Sequence, residues 1–377
     1  MTDRYLAEPD LGFIKDVVRL GGADVKKCFQ CATCSVVCPI STENKPFPRK
    51  EMIAAAWGLK DKLVGNADIW LCHNCGDCTS LCPRAAKPGD VLGAIRSYAI
   101  MDYAVPKALG RAVNDPRKLP ILILIPVVIF LVLGLITGLL DFTPAGDEIV
   151  HANFFSAWLV DMIFVPLAVW VVVIFGMGIK RFINDIHENA VLEGKTDKKE
   201  LEISGLAQAF IRILPTILLH RKFNECGENQ ERYLAHLMVF FSFVGLFIVT
   251  NIFFFTLYGL QIHGPYSQIN PVKWLANICG VALIVGSCLM IKDRLTKTDQ
   301  LTSYKDWYLL GLVLGLGLTG MLAEITRLAD MAGLSYTIYF IHLVFVFNLF
   351  AFLPFSSLAH FVYRTIAMVY AEYVNRQ

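Results

Sequence analysis

The chain has 377 residues, of which 55% are hydrophobic and only 18% charged, with a formal net charge of +2. That is too apolar for an ordinary soluble domain. A balance of 34 basic against 32 acidic residues leaves no electrostatic footprint for nucleic acid, so no nucleic-acid partner is expected.

Residues Met1 to Asp10 contain no basic stretch followed by an apolar run. The expectation is no secretory signal, which keeps the N-terminal part in a reducing cytoplasm where thiolates stay available to iron. Residues 1–105 read as a soluble helical domain. Leu11 to Leu20 carries Phe13, Ile14, Val17 and Val18 at near-helical spacing, and Gly21-Gly22 ends that run.

Two copies of one stretch follow. Cys28, Cys31, Cys34 and Cys38 form a C-x2-C-x2-C-x3-C run closed by Pro39, and Cys72, Cys75, Cys78 and Cys82 repeat it, closed by Pro83. In this ferredoxin pattern three cysteines hold one cubane and the fourth ligates the other. Cys28, Cys31, Cys34 and Cys82 are therefore expected to hold one [4Fe–4S] cluster, and Cys72, Cys75, Cys78 and Cys38 the second. Disulfides and structural zinc are the competing readings. Zinc sites use paired C-x2-C units rather than triplets, and a cytoplasmic setting disfavours disulfides. Between the loops, Pro48 to Met52 opens a helical run through Trp57 to Leu63, and Ile69-Trp70-Leu71 leads into the second loop. Asp90 to Tyr103 reads as another helix. The clusters are expected to stand in for much of a hydrophobic core.

Residues 106–118 form a basic linker. Residues 119–377 hold six apolar stretches, approximately Leu119–Leu140, Phe154–Met177, Tyr233–Leu260, Val272–Met290, Tyr308–Ala329 and Tyr336–Tyr363. Most reach the ~20 residues that cross a bilayer as a helix. The fold class is thus all α-helical: a two-[4Fe–4S] ferredoxin-like domain plus a six-helix transmembrane haem b bundle. Lys and Arg cluster before the first stretch (Lys107, Arg111, Arg117, Lys118). They cluster again after the second (Lys180, Arg181, Lys195, Arg221, Lys222) and after the fourth (Lys292, Arg294, Lys297, Lys305). These segments share one side, so both termini are expected on the cytoplasmic face of a cytoplasmic (inner) membrane. Within the long loop 181–231, Leu206–Leu219 is apolar on one side and reads as an interfacial helix or a docking surface.

Ionisable residues inside a span are functional candidates. His342 and His360 are 18 residues apart, five helical turns. On one continuous helix they share a face ~27 Å apart, which suits two stacked haems. His236, near the start of the third stretch, and His360 fall at the cytoplasmic end and are expected to ligate a haem b. For a second haem on His342, His151 and His263 are open alternatives for the opposite ligand. Asp161, Glu324 and Arg327 lie in the other leaflet. Glu324 and Arg327 are three apart and share a face. A quinone site near His342, Asp161 and Glu324 follows, with the cytoplasmic end near Lys222, His220 or Arg294 as the alternative. Cys226, Cys279 and Cys288 are isolated; the last two read as small packing residues.

Two parts of the chain resemble known families. Residues 20–105, with the Cys-x-Gln-Cys start at Cys28, resemble the HdrC-type iron–sulfur subunit of heterodisulfide reductases. Residues 119–377 are similar to the gamma subunit of respiratory nitrate reductases, whose last helix bears two haem-ligating histidines at the spacing of His342 and His360. That family has a second histidine ten residues after the position of His236; here Leu246 stands there. The fusion resembles the QmoC family, membrane subunits of quinone-interacting membrane-bound oxidoreductases of dissimilatory sulfur metabolism. The resemblance implies QmoA- and QmoB-like flavin and iron–sulfur partners, menaquinone as membrane substrate, and adenylylsulfate reductase as terminal partner. The expected function is electron transfer between menaquinone, haem b (one or two) and the two clusters. The alternatives are a subunit of a heterodisulfide or trisulfide reductase-type complex, or a membrane anchor with a structural haem.

Overall fold

A break in backbone geometry at Gly58 (φ +71°) divides the helical run expected over residues 48–63. The computed structural model describes residues 7–143, 148–220, 232–296 and 303–376, and among them it is all helix with no strand. The first domain holds α1 (Leu11–Val17), α2 (Thr33–Val36), α3 (Arg49–Ala56), α4 (Lys60–Val64), α5 (Asp68–Leu71), α6 (Asp77–Ser80) and α7 (Pro88–Tyr103). Asp10 caps α1 by accepting from the Phe13 N–H at 2.9 Å. At Gly58 a Cβ would also stand 2.6 Å from Ile14 Cδ1, so both the left-handed backbone and the close approach of α1 require glycine.

The core of this domain corrects one expectation. The cluster loops do not replace it. Phe13, Met52, Leu63, Ile69, Trp70, Val91, Leu92 and Ile95 are almost fully buried. The same core continues into Phe182, Ile186, Tyr363, Ala367 and Tyr370 of the membrane part. Trp70, Tyr103, Phe182 and Tyr363 meet as one aromatic group with ring centroids 5.3–5.9 Å apart. The basic linker is also structured: α8 (Lys107–Val113) and a turn over Pro116–Lys118 feed α9 (Leu119–Thr137).

Further along come α10 (His151–Phe154), α11 (Ala157–Leu192), α12 (Ile203–Leu218), α13 (Arg232–Tyr258), α14 (Pro271–Thr296), α15 (Tyr304–Leu328), α16 (Ala332–Phe352) and α17 (Ala359–Tyr373). Six helical segments are long and apolar enough to cross a membrane: Pro116–Thr137, Ala157–Leu192, Tyr233–Tyr258, Pro271–Thr296, Tyr304–Leu328 and Ala332–Tyr373. α13 packs on α14, α14 on α15, α15 on α16, and α16 on α9 and α11. Small residues permit the close contacts. A Cβ on Gly286 would stand 3.0 Å from Met238 Cβ and 3.2 Å from the Ala235 carbonyl, beside His236.

Two membrane segments depart from the expected pattern. α11 has 36 residues, about 54 Å of helix against a hydrocarbon core of about 30 Å. Residues 181–192, expected in a loop, are its continuation, and they hold the cluster domain. Asn189 Nδ2 donates to the carbonyls of Asp61 (2.7 Å) and Gly65 (2.8 Å), and Tyr103 donates to Asp185 at 2.9 Å. The last stretch is not one helix. α16 ends at Phe352, a turn covers Leu353–Phe355, and Ser356 is extended (ψ 176°) before α17 begins. Pro354 lacks the N–H an uninterrupted helix needs. His342 and His360 therefore sit on different helices, and the expectation that they share a face of one helix is corrected.

α12 packs on α17, burying Ala209 and Ile217 and leaving Phe210 and Ile211 exposed. Arg221, Lys222, Cys226 and Lys297 lie outside the described residues.

Candidate electron-transfer site

The two cysteine loops fold alike. Gln30 and Ala32 in the first, and Asn74 and Gly76 in the second, take left-handed backbone at equivalent positions. Each triplet then enters a one-turn helix, α2 or α6, and these two helices pack together. The pairing crosses between the loops. The Cys34 thiol is pushed up to about 11, first by burial and then by like charge on Cys28, Cys31 and Cys82. Burial pushes Cys38 up to about 12, and its charged neighbours are Cys72 and Cys75. Cys78 is raised by burial first, then by Cys72, Cys75 and Cys38, and last by Cys34. The leading neighbours of Cys34 and of Cys38 thus each include thiols of the opposite loop, as the crossed pattern requires, and Cys34 also lies within electrostatic reach of Cys78. All eight are free of disulfide bonds.

Thiolates crowded in this way repel one another unless a cationic centre sits among them. Among the described residues no three His, Cys, Asp or Glu groups converge on a point that would suit a single ion. A cubane needs its thiolates splayed around its corners, so the donor chemistry and the crossed grouping fit [4Fe–4S] clusters. Hydrogen bonds to sulfur are in place: Gln30 to Cys28 (3.3 Å), the Asn74 N–H to Cys72 (3.4 Å) and the Ala86 N–H to Cys82 (3.3 Å). Such bonds stabilise the more negative, reduced state.

Beside the second loop a cavity of about 1870 Å³ begins, larger than the ~300–1,000 Å³ typical of one small-ligand site. Cys72 and Cys75 line one end. His220, His236, His360, His342, Tyr339, Asp161, Lys273 and Glu324 line the cavity as well. His236 is within electrostatic reach of both His220 and His360. The His220 and His236 rings stand 4.8 Å apart.

The hydrogen bonds fix two imidazole tautomers. His360 Nδ1 lies 2.9 Å from the Ser357 carbonyl, which only accepts, so Nδ1 carries the proton and Nε2 keeps its lone pair. Thr319 donates to the Gly315 carbonyl (2.6 Å) and can therefore accept from His342 Nδ1 at 2.9 Å. That again leaves Nε2 as a base. Neutral imidazoles with the second nitrogen held by a neighbour are the form that ligates haem iron. Gly320 leaves room here, since a Cβ would stand 3.2 Å from His342 Cε1.

Of the two alternatives opposite His342, His263 is exposed. His151 lies within electrostatic reach of His342. It bonds Ser335 through Nε2 at 2.8 Å and stacks on Tyr339 at 4.6 Å. Burial pushes the His151 imidazolium down to about 4. Neither His151 nor His263 is among the residues lining the cavity.

Asp161 accepts a hydrogen bond from Tyr258. Glu324 pairs with Arg327 (3.0 Å) and with Lys273 (2.8 Å), and Gln268 donates to it. The sequence reading found Glu324 and Arg327 but not Lys273, Gln268 or Tyr258. These join from loop or helix-end positions far along the chain. Cys279 is buried and Cys288 exposed, both as free thiols.

An iron–sulfur domain joined to six membrane-length helices is the build of a membrane electron-transfer subunit. Residues 24–86, which contain all eight cysteines of the two loops, match the family model of the 4Fe-4S dicluster domain. Comparison of the chain with curated proteins and with solved structures gives no match.

Proposed function

We propose that this chain is the membrane subunit of a quinone-linked oxidoreductase of the QmoC type. It sits in the cytoplasmic membrane with both termini inside. It passes electrons between menaquinone and cytoplasmic flavin and iron–sulfur partners resembling QmoA and QmoB, with adenylylsulfate reductase as the terminal acceptor. The observation that carries this reading is the continuous cavity. It joins Cys72 and Cys75 to His236 and His360, and those to His342, Asp161 and Glu324.

In this reading Cys28, Cys31, Cys34 and Cys82 hold the first cluster, and Cys72, Cys75, Cys78 and Cys38 hold the second. His236 and His360 would hold a haem b, which would supply a one-electron carrier between a two-electron quinol and the clusters. His342, held by Thr319, offers Nε2 to a second haem or to the quinone. Oxidation of one quinol releases two electrons and two protons. Asp161 accepts a proton at the far end, with the Tyr258 hydroxyl donating a hydrogen bond to its carboxylate, and the Glu324–Lys273–Arg327 group fixes the polarity there. An electron moving inward from that end crosses the membrane field, worth ~2.3 kcal/mol per charge per 100 mV.

Asp161→Asn tests the proton role. Haem content, haem spectrum and cluster content are expected to stay unchanged, while haem reduction by a menaquinol analogue slows by about 10²-fold, as for loss of a general base. An unchanged rate removes Asp161 from the proton path.

A further inference from the structure

The two cysteine loops are alike in sequence and backbone, but it is the second that is hydrogen-bonded to a membrane helix carrying one of the histidines. We infer that the second loop's cluster is the one that exchanges electrons with the membrane cavity, that the first loop's cluster is the outward one, and that Arg364 and Arg96 are the positioning residues that fix this order. The inference deepens the proposed function and rests on it for the identity of the membrane carrier.

Arg364 stands four residues after His360 on α17, on the same face of that helix. Its Nη1 donates to the Cys72 carbonyl at 2.7 Å. Arg96, from α7, donates to the Ile69 carbonyl (3.0 Å) and to Asn74 Oδ1 (3.2 Å), so it grips the second loop on either side of Cys72. Both guanidinium groups line the cavity together with His360. Trp70, two residues before Cys72, packs against Tyr363 with ring centroids 5.3 Å apart, tilted by 31°. The second loop is thus clamped to the residues next to a histidine of the cavity. The first loop has no cysteine among the residues lining that cavity. It points outward: Cys31 is exposed, and its neighbours Phe29 and Val36 are 67% and 84% exposed.

Electron transfer weakens steeply with distance, so the clamped loop is the first stop. One electron crosses at a time. The membrane donor is oxidised by one unit, the second cluster's core goes from 2+ to 1+, and the electron then reduces the first cluster's core while the second returns to 2+. No bond forms or breaks and no proton moves. The fixed positive charge of Arg364 next to Cys72 also favours the reduced second cluster.

The test is a redox titration followed by EPR on the full chain in membranes, with Cys31→Ala and Cys75→Ala used to assign the two signals. Arg364→Gln is expected to lower the midpoint of the second cluster and leave that of the first unmoved, and Arg364→Lys to restore most of the shift. A shift of the first cluster, of both equally, or of neither overturns the proposal. Arg96→Gln makes the same test if Arg364→Gln does not assemble. This readout needs only the clusters, so it stands even if no haem is bound and the wider reading fails. Where haem is bound, the oxidised low-spin haem is expected to speed spin relaxation of the second cluster more than the first. The reverse ranking contradicts the order.

Discussion

Cys38→Ala is expected to remove the same [4Fe–4S] EPR signal as Cys72→Ala or Cys78→Ala, even though Cys38 belongs to the first loop. Cys82→Ala is expected to group with Cys28→Ala and Cys34→Ala. Each substitution leaves the other signal in place, and bound iron falls from about eight to about four atoms per chain, one cluster's worth. The physical ground is the crossed grouping of thiols, with Cys82 beside Cys34 and Cys38 beside Cys72 and Cys75. Losing one corner thiolate leaves three like charges and an open iron site, so the effect is loss of a whole cluster rather than a small shift. Iron analysis with EPR of the dithionite-reduced protein reads it. If Cys38→Ala and Cys34→Ala remove the same signal, each loop holds its own cluster and the crossed assignment is wrong.

The second large effect concerns the haem. His236→Ala and His360→Ala are each expected to remove a low-spin b-type band and lower the haem-to-protein ratio by one, with both cluster signals retained. His360 has its proton held at Nδ1 by the Ser357 carbonyl, so truncation removes a prepared lone-pair donor at Nε2. A change to the residue that holds an imidazole differs in kind. Thr319→Val keeps the His342 ring but removes its hydrogen-bond partner, and such changes cost about 10–100-fold in affinity rather than all of it. An unaltered spectrum in His236→Ala and His360→Ala contradicts this ligand pair.

The parts of the molecule legible in sequence are those set by short-range constraints. The cysteine triplets are legible because a cluster corner dictates two intervening residues, and the proline after each run marks the end of the loop. The six apolar helices are legible because crossing a bilayer needs length and hydropathy, which sum over many residues. What sequence hides is where a helix continues for reasons of packing. α11 looks finished near Met177, where charged residues begin. Its polar extension is held by Asn189 and Asp185, whose partners lie on α4 and α7 or just beyond them. The break before α17 had a signal, Pro354 followed by Ser356 and Ser357, but the surrounding apolar run outweighs it in any hydropathy window. Arg364 reads in sequence as the basic end of a span. Its bond to the Cys72 carbonyl, between residues nearly three hundred positions apart, is visible only in three dimensions.

The most direct test of the central claim, that this chain is an electron path between quinol and two cubanes, is a menaquinol-analogue-reduced minus oxidised spectrum on the purified protein, with haem per chain and cluster EPR measured on the same sample. The expected result is b-type haem reduced by the quinol, with at least one haem per chain, followed by appearance of a reduced-cluster signal. Haem absent, or present but untouched by quinol while dithionite reduces it, contradicts the account.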